Sequence, residues 1–245
     1  MEIFINNSSY TLFMKSHDYS KFAKDYSQLD ISGTFYIGYR DIPLLLKEYV
    51  TGKKALDFGC GAGKSTRFLK ELGYNTMGVD KNPDMISQAK RLDKKGTYLL
   101  LKEGKIPLEK SSFDVVLVSC VLMEVSSLKE MKEIFLEIHK VLQKGGISII
   151  LTDTDTMYMH DTASFIYDFP ENKNLKSGMQ AKLKFRGTDI IFYDYFWTEK
   201  DYTKVFTSAG FVVLEIHKPL ATGKESFKWY CETEHPHFVL YVLKK

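Results

Sequence analysis

Three glycines at alternate positions, Gly59, Gly61 and Gly63, close the short apolar run Ala55-Leu56-Asp57-Phe58 and open a helical pattern at Lys64. With no Cβ, the backbone at such positions turns tightly and lets a ligand approach the main chain. A glycine turn leading from a strand into a helix commits a chain to an open α/β sheet, whose ligands bind outside the carboxyl ends of the strands. Spacing then separates the kinds of turn. A Gly-x-x-x-x-Gly-Lys-Ser phosphate cradle ending at Gly63-Lys64-Ser65 needs its first glycine at residue 58, which is Phe58. A Gly-x-Gly-x-x-Gly dinucleotide turn starting at Gly59 needs a glycine where Lys64 stands. Neither phosphate-binding spacing is met in full, and a nicotinamide or flavin site stays open as the less favoured alternative.

The surrounding pattern agrees with an α/β sheet. Strands are expected at 55–58, 76–79, 98–101, 113–119 and 147–151, with helices between them at 64–72, from Asn82-Pro83-Asp84 to about 92, and at 128–142. Gly73 closes the first of these helices and Gly145-Gly146 the last. Strands alternating with helices imply parallel pairing and right-handed crossovers. Val115-Val116-Leu117-Val118 has the unbroken apolar character of a strand covered on both faces. Residues 152–197 break the rhythm: alternation over 179–185, the turn-forming Arg186-Gly187-Thr188-Asp189 and a returning run over 190–197 read as an inserted antiparallel hairpin. Thr198-Glu199-Lys200-Asp201 opens a helix that ends at Ala209-Gly210, and strands at 211–216 and 238–243 finish the chain. Residues 1–50 read as mostly helical, with Tyr19, Phe22 and Tyr26 on one face, available either to pack on the main domain or to close over a ligand.

Composition narrows the function classes. The 245 residues suit one domain carrying an insertion, and a formal charge of +3 is too small to argue for nucleic acid or an anionic membrane surface. Cys60, Cys120 and Cys231 are odd in number and have neither metal-ligand nor disulfide spacing, which favours a reducing, cytoplasmic setting. No stretch approaches the roughly 18 apolar residues of a membrane span, and the N-terminus lacks the basic start and apolar run of a signal peptide. His235-Pro236-His237 lacks a third ligand at metal spacing, so no metal is expected.

Asp57-Phe58-Gly59-Cys60-Gly61-Ala62-Gly63, followed by an acid, Asp80, at the end of the second strand, resembles the signature of class I methyltransferases that use S-adenosylmethionine (SAM), in particular small-molecule members of the type 11 kind. The resemblance runs from about residue 16 to the end. It implies a Rossmann-like, doubly wound, seven-stranded sheet with its last strand antiparallel and a hairpin lid inserted after strand five. The layout it implies is a helical cap (1–50), a SAM-binding core (53–151), the lid (152–197) and a closing helix with two strands (198–245). It also implies roles. Asp57 faces the ammonium side of the cofactor, directly or through water; Gly59, Cys60 and Gly61 pass close to its amino-acid part; Asp80, with Lys81 beside it, takes the ribose hydroxyls. Met85, Glu103 and Gly104 belong to the adenine side. Glu103 stands roughly where the family carries an aspartate, in a loop that looks one residue short. Ser119 and Cys120 run beside the methionine portion, and Tyr19 and Tyr26 match the aromatic pair that closes over the cofactor.

The implied reaction is in-line transfer of a methyl group from SAM to an oxygen or nitrogen nucleophile, leaving S-adenosylhomocysteine. The acceptor is expected at the carboxyl ends of strands four and five, among Met123, Glu124, Asp153, Tyr158, His160, Tyr195, Trp197, Trp229 and His237. His160 is the candidate general base, set against a plain surface histidine. Glu124 either meets a cationic acceptor or caps the next helix, and Tyr195 and Trp197 either wall the acceptor or pack the hairpin. The chain lacks a basic stripe and the Asn/Asp-Pro-Pro-Tyr/Phe motif of base-modifying relatives, which favours a small-molecule acceptor, with the hairpin as lid or homodimer surface. Protein methylation and a non-catalytic SAM-binding subunit are the alternatives.

Overall fold

The computed structural model describes residues 31–245. Two short helices, α1 (Thr34–Arg40) and α2 (Ile42–Tyr49), precede the first strand. The core then runs β1 (Lys54–Phe58), α3 (Lys64–Glu71), β2 (Asn75–Asp80), α4 (Pro83–Leu92), β3 (Thr97–Leu100), β4 (Phe113–Ser119), α5 (Leu128–Val141) and β5 (Leu142–Asp153). The insertion supplies β6 (Phe165–Ile166), β7 (Gln180–Phe185) and β8 (Ile191–Tyr195), and the chain closes with α6 (Glu199–Ser208), β9 (Val212–His217) and β10 (Phe238–Lys244).

The main sheet has seven strands in the order β3-β2-β1-β4-β5-β10-β9. β1 pairs in parallel with both β2 and β4, and β10 lies antiparallel between β5 and β9. This is the doubly wound arrangement implied by the sequence. Its strand order reverses at β1 and β4, where the connections leave to opposite faces and a crevice must open. Helices cover both faces. Phe135 on α5 and Phe206 on α6 meet edge-to-face at 4.6 Å above Val116, Val118 and Ile150. Ile42, Leu45 and Leu46 on α2 and Leu69 on α3 cover Leu117, Ile149 and Leu240 on the opposite face.

Helix starts follow local chemistry. Asn82 accepts from the amides of Asp84 and Met85 at the head of α4, Ser127 accepts from Glu130 at the head of α5, and Thr198 and Asp201 form a reciprocal box at the head of α6. Two expectations are corrected. The helix over 128–142 ends at Val141, and Gly145-Gly146 lie inside a twelve-residue strand rather than before it. The Gly145 amide donates to the Lys245 carbonyl and the Lys245 amide to the Gly146 carbonyl, which pairs Lys245 with this stretch, where the strand shifts register and Gly145 takes φ +75°. The inserted hairpin is in fact a three-stranded sheet, because Phe165 and Ile166 pair with Phe185 and Lys184.

That small sheet is fastened to the core at several points. Buried Glu232 accepts from Thr34 Oγ1 on α1, from the Ala163 amide in the insertion, and from the amides of Tyr230 and Cys231. Trp197 is buried at the insertion's exit, and its indole nitrogen donates to the Val125 carbonyl at 3.0 Å. Trp197→Phe removes that donor and strands a buried acceptor, so a loss of about 2 kcal/mol in unfolding free energy is expected from urea titration. A loss below about 0.5 kcal/mol, within the usual range of surface substitutions, would show that the indole does not tie the insertion down.

Candidate functional site

The crevice at the sheet's reversal point is a cavity of about 760 Å³, inside the range typical of sites that hold a small molecule. Its floor is the glycine turn. Gly59 and Gly61 have φ of +74° and +50°, and a Cβ on Gly61 would meet nothing within 4 Å, so the backbone here is open to a ligand. The Gly59 and Cys60 amides both donate to the Val79 carbonyl, which anchors the turn to β2. At the end of β2, Asp80 accepts the Gly61 amide on Oδ2 at 2.8 Å and the Asn82 amide on Oδ1 at 2.7 Å. Each carboxylate oxygen thus has one backbone donor and a second lone pair for a ligand. Burial raises the pKa of Asp80, opposed by those two amides.

Lys81, Met85, Glu103 and Gly104 line the same cavity, with Met85 buried and Glu103 and Gly104 on the exposed rim. Ser119 and Cys120 form the opposite wall. Ser119 Oγ shares a 2.7 Å hydrogen bond with Tyr39 Oη, which joins α1 to β4 beside the cavity. Cys120 has φ +55°, unusual for a residue with a Cβ, and its amide donates to the Leu151 carbonyl. Burial pushes its thiol up to about 12, so it is not a thiolate nucleophile at neutral pH.

Asp57 departs from its expected place. It is fully buried behind the turn, does not line the cavity, and accepts the hydroxyls of Ser65 at 2.7 Å and Thr66 at 2.6 Å. These bonds pin the first turn of α3 to β1, and burial pushes the carboxyl up to about 6. Asp57 positions the turn, while Ser65, which does line the cavity, is the group that can meet a ligand there. Tyr19 and Tyr26 lie outside the described residues. Phe35 and Tyr39 on α1 also line the cavity and were not singled out from the sequence; their shared helix face was the available signal.

A second cavity, of about 50 Å³, adjoins the first, and Phe35 and Cys120 line both. Met123, Asp153 and His237, three of the residues expected near an acceptor, line it. Glu124 lines the larger cavity. The other acceptor candidates lie elsewhere. Tyr158 is buried behind Asp153, and Tyr195 packs against the main core. Trp197 is held by Val125, and Trp229 donates to Glu225. His160 lines neither cavity: its ring stacks on His235 with centroids 3.9 Å apart, and partial burial lowers its pKa. A general-base role for His160 is therefore not supported by its position.

A family model described as a methyltransferase domain matches residues 56–150, the stretch from β1 to β5 that builds the larger cavity. Over those residues the chain is similar to methyltransferases. Solved structures of similar fold include S-adenosylmethionine-dependent methyltransferases. An uncharacterised methyltransferase of Synechocystis is 30% identical over 109 residues, covering 44% of this chain and 51% of its own length. A malonyl-[acyl-carrier protein] O-methyltransferase of Serratia marcescens is 29% identical over 101 residues, covering 41% and 38%. The chain thus matches about half or less of the length of these relatives. Among solved structures, an S-adenosylmethionine-dependent methyltransferase from Clostridium acetobutylicum superposes with a TM-score of 0.65 at 18% identity, covering 92% of this chain and 98% of that one. The likeness in fold therefore reaches beyond the matched methyltransferase domain into the insertion and the closing strands.

The cavity fits that cofactor on its own terms. It offers a glycine turn with open space at Gly61, a carboxylate with lone pairs to spare at Asp80, and buried apolar surface at Met85.

Proposed function

We propose that the protein binds SAM in the larger cavity and transfers its methyl group to an oxygen or nitrogen of a small molecule whose reacting end lies in the smaller one. The observation that carries this reading is the meeting of the two cavities at Cys120 and Phe35, beside the wall expected to hold the methionine portion. When bound, the cofactor supplies a sulfonium-activated methyl group open to in-line displacement. The protein's own contribution is placement and exclusion of water, which together can supply several kcal/mol of the barrier. Asp80 would hold the ribose, the Gly59–Gly61 backbone the amino-acid part, and Met85 the adenine side. The insertion, fixed by Glu232 and Trp197, supplies the roof of the acceptor space. That roof favours a small acceptor over a protein segment, which would need an open groove.

The described residues include no helix long and apolar enough to cross a membrane, and the free cysteines suit a reducing, cytoplasmic setting. Calorimetry is expected to show binding of S-adenosylhomocysteine. Incubation with methyl-labelled SAM and a metabolite extract is then expected to place label on a small molecule identified by mass spectrometry. Failure to bind either form of the cofactor would overturn the first half of the reading, and label found only on macromolecules would overturn the second.

A further inference from the structure

The smaller cavity holds a buried carboxylate whose partners are poor. Asp153, the last residue of β5, is 6% exposed. Its closest polar neighbours are Tyr158 Oη at 3.5 Å from Oδ2 and His237 Nε2 at 3.7 Å from Oδ1, both beyond ordinary hydrogen-bond length. No lysine or arginine pairs with it among the described residues. Other buried acids are better supplied with donors: Glu232 collects several, and Asp57 accepts two hydroxyls on Oδ2, although its Oδ1 has no partner. A buried carboxylate without good donors is costly, and native structures keep such groups where a ligand completes them.

His237 gives an independent sign of a missing ligand. Its ring is 3% exposed, lines the same cavity and stacks on Phe165, yet Nδ1 has no hydrogen-bond partner. Asp194 lines the cavity beside Asp153, and the remaining wall is largely aromatic, with Phe165, Tyr167, Phe185 and Phe192. Among the described residues no three acidic, imidazole or thiol groups converge closely enough to hold a metal ion. Negative charge walled by aromatic faces is the chemistry that recognises an organic cation.

We infer that the smaller cavity is a head-group site for an amine, so that the methyl acceptor presents an amino or ammonium nitrogen to Asp153 with the aromatic rings around it. This rests on the methyltransferase reading for its consequence, but not for its binding chemistry. Burial and the neighbouring Asp194 raise the pKa of Asp153, which narrows the gap in proton affinity between its carboxyl group and an amine. An ammonium that passes its proton to the Asp153 carboxylate becomes a neutral amine, whose freed lone pair can then attack. The about 50 Å³ of the cavity admits only a head group, leaving the body of the acceptor to lie toward Phe35 and Cys120.

The test is calorimetric. The full chain, saturated with S-adenosylhomocysteine, is titrated with n-butylamine, benzylamine and 2-phenylethylamine, each beside the alcohol of the same skeleton. At least one amine is expected to bind about tenfold or more tightly than its alcohol, since the charge is met in a desolvated site. Asp153→Asn is expected to bring each pair within about twofold while the affinity for S-adenosylhomocysteine is kept. Phe165→Leu, which keeps an apolar wall but removes a ring, is expected to cut the amine preference several-fold and covers the case in which Asp153→Asn does not fold. Three amines binding no tighter than their alcohols would overturn the inference, as would a preference that survives in a folded Asp153→Asn protein. If S-adenosylhomocysteine itself fails to bind, the cofactor reading falls separately, and the same titration without it still decides the head-group site.

Discussion

Asp80→Ala is expected to weaken the binding of S-adenosylhomocysteine about a hundredfold. Two charge-assisted hydrogen bonds from ribose hydroxyls, worth about 1.5 kcal/mol each at the lower end of their range, amount to about 3 kcal/mol, and every 1.4 kcal/mol is tenfold. The same carboxylate also accepts the Gly61 and Asn82 amides, so part of any loss could come from a loosened turn. An analogue lacking the ribose 2′-hydroxyl separates the two causes. It should bind the unaltered protein more weakly than the complete ligand, but it should lose nothing further relative to that ligand in Asp80→Ala. Equal affinity of Asp80→Ala and the unaltered protein for the complete ligand would remove the ribose role from this residue.

Gly59→Ala is expected to destabilise the fold by about 3 kcal/mol. The left-handed conformation, φ +74° here, costs a residue with a Cβ about 1–2 kcal/mol. The added methyl would also stand 2.3 Å from Val121 Cγ2, an overlap that a stiff β-branched side chain relieves only by moving backbone. Overpacking of that kind costs about 1–3 kcal/mol. For a chain of this size the sum is a fall of about 6–12 °C in Tm, readable by scanning calorimetry. Gly61→Ala is the matched control. It carries the conformational cost at φ +50° but meets nothing within 4 Å, so its Tm should fall by about half as much while its new methyl crowds the cofactor cavity. A Gly59→Ala protein as stable as the original would show that the turn tolerates a side chain there.

The sheet and the glycine turn were legible in the sequence because both are local: apolar runs mark buried strands, and glycine spacing marks where the backbone turns. Asp80 was legible for the same reason, as an acid ending a strand. The burial of Asp57 was not legible, because spacing gives its distance from the turn but not the side of the strand it faces. The hydroxyls of Ser65 and Thr66 draw it behind the turn. β6 was missed because two residues carry no periodicity, and Phe165 and Ile166 become a strand only by pairing with β7. The smaller cavity draws on residues as far apart as Phe35 and Phe238. Its aromatic side chains each look like ordinary core in the sequence, and only the packing of the insertion on β5 and β10 brings them around Asp153.

Phe35 and Cys120 belong to the walls of both cavities, and Phe35 is carried on a helix of only seven residues that Glu232 and Ser119 hold in place. A shared wall couples its two occupants. If filling one cavity shifts that wall by any amount of free energy, the affinity of the other changes by a definite factor, and the reverse factor must be identical. The two ligands of such a protein therefore keep a reciprocal account of each other. A substitution at Phe35 would be felt in that mutual factor as much as in either affinity alone.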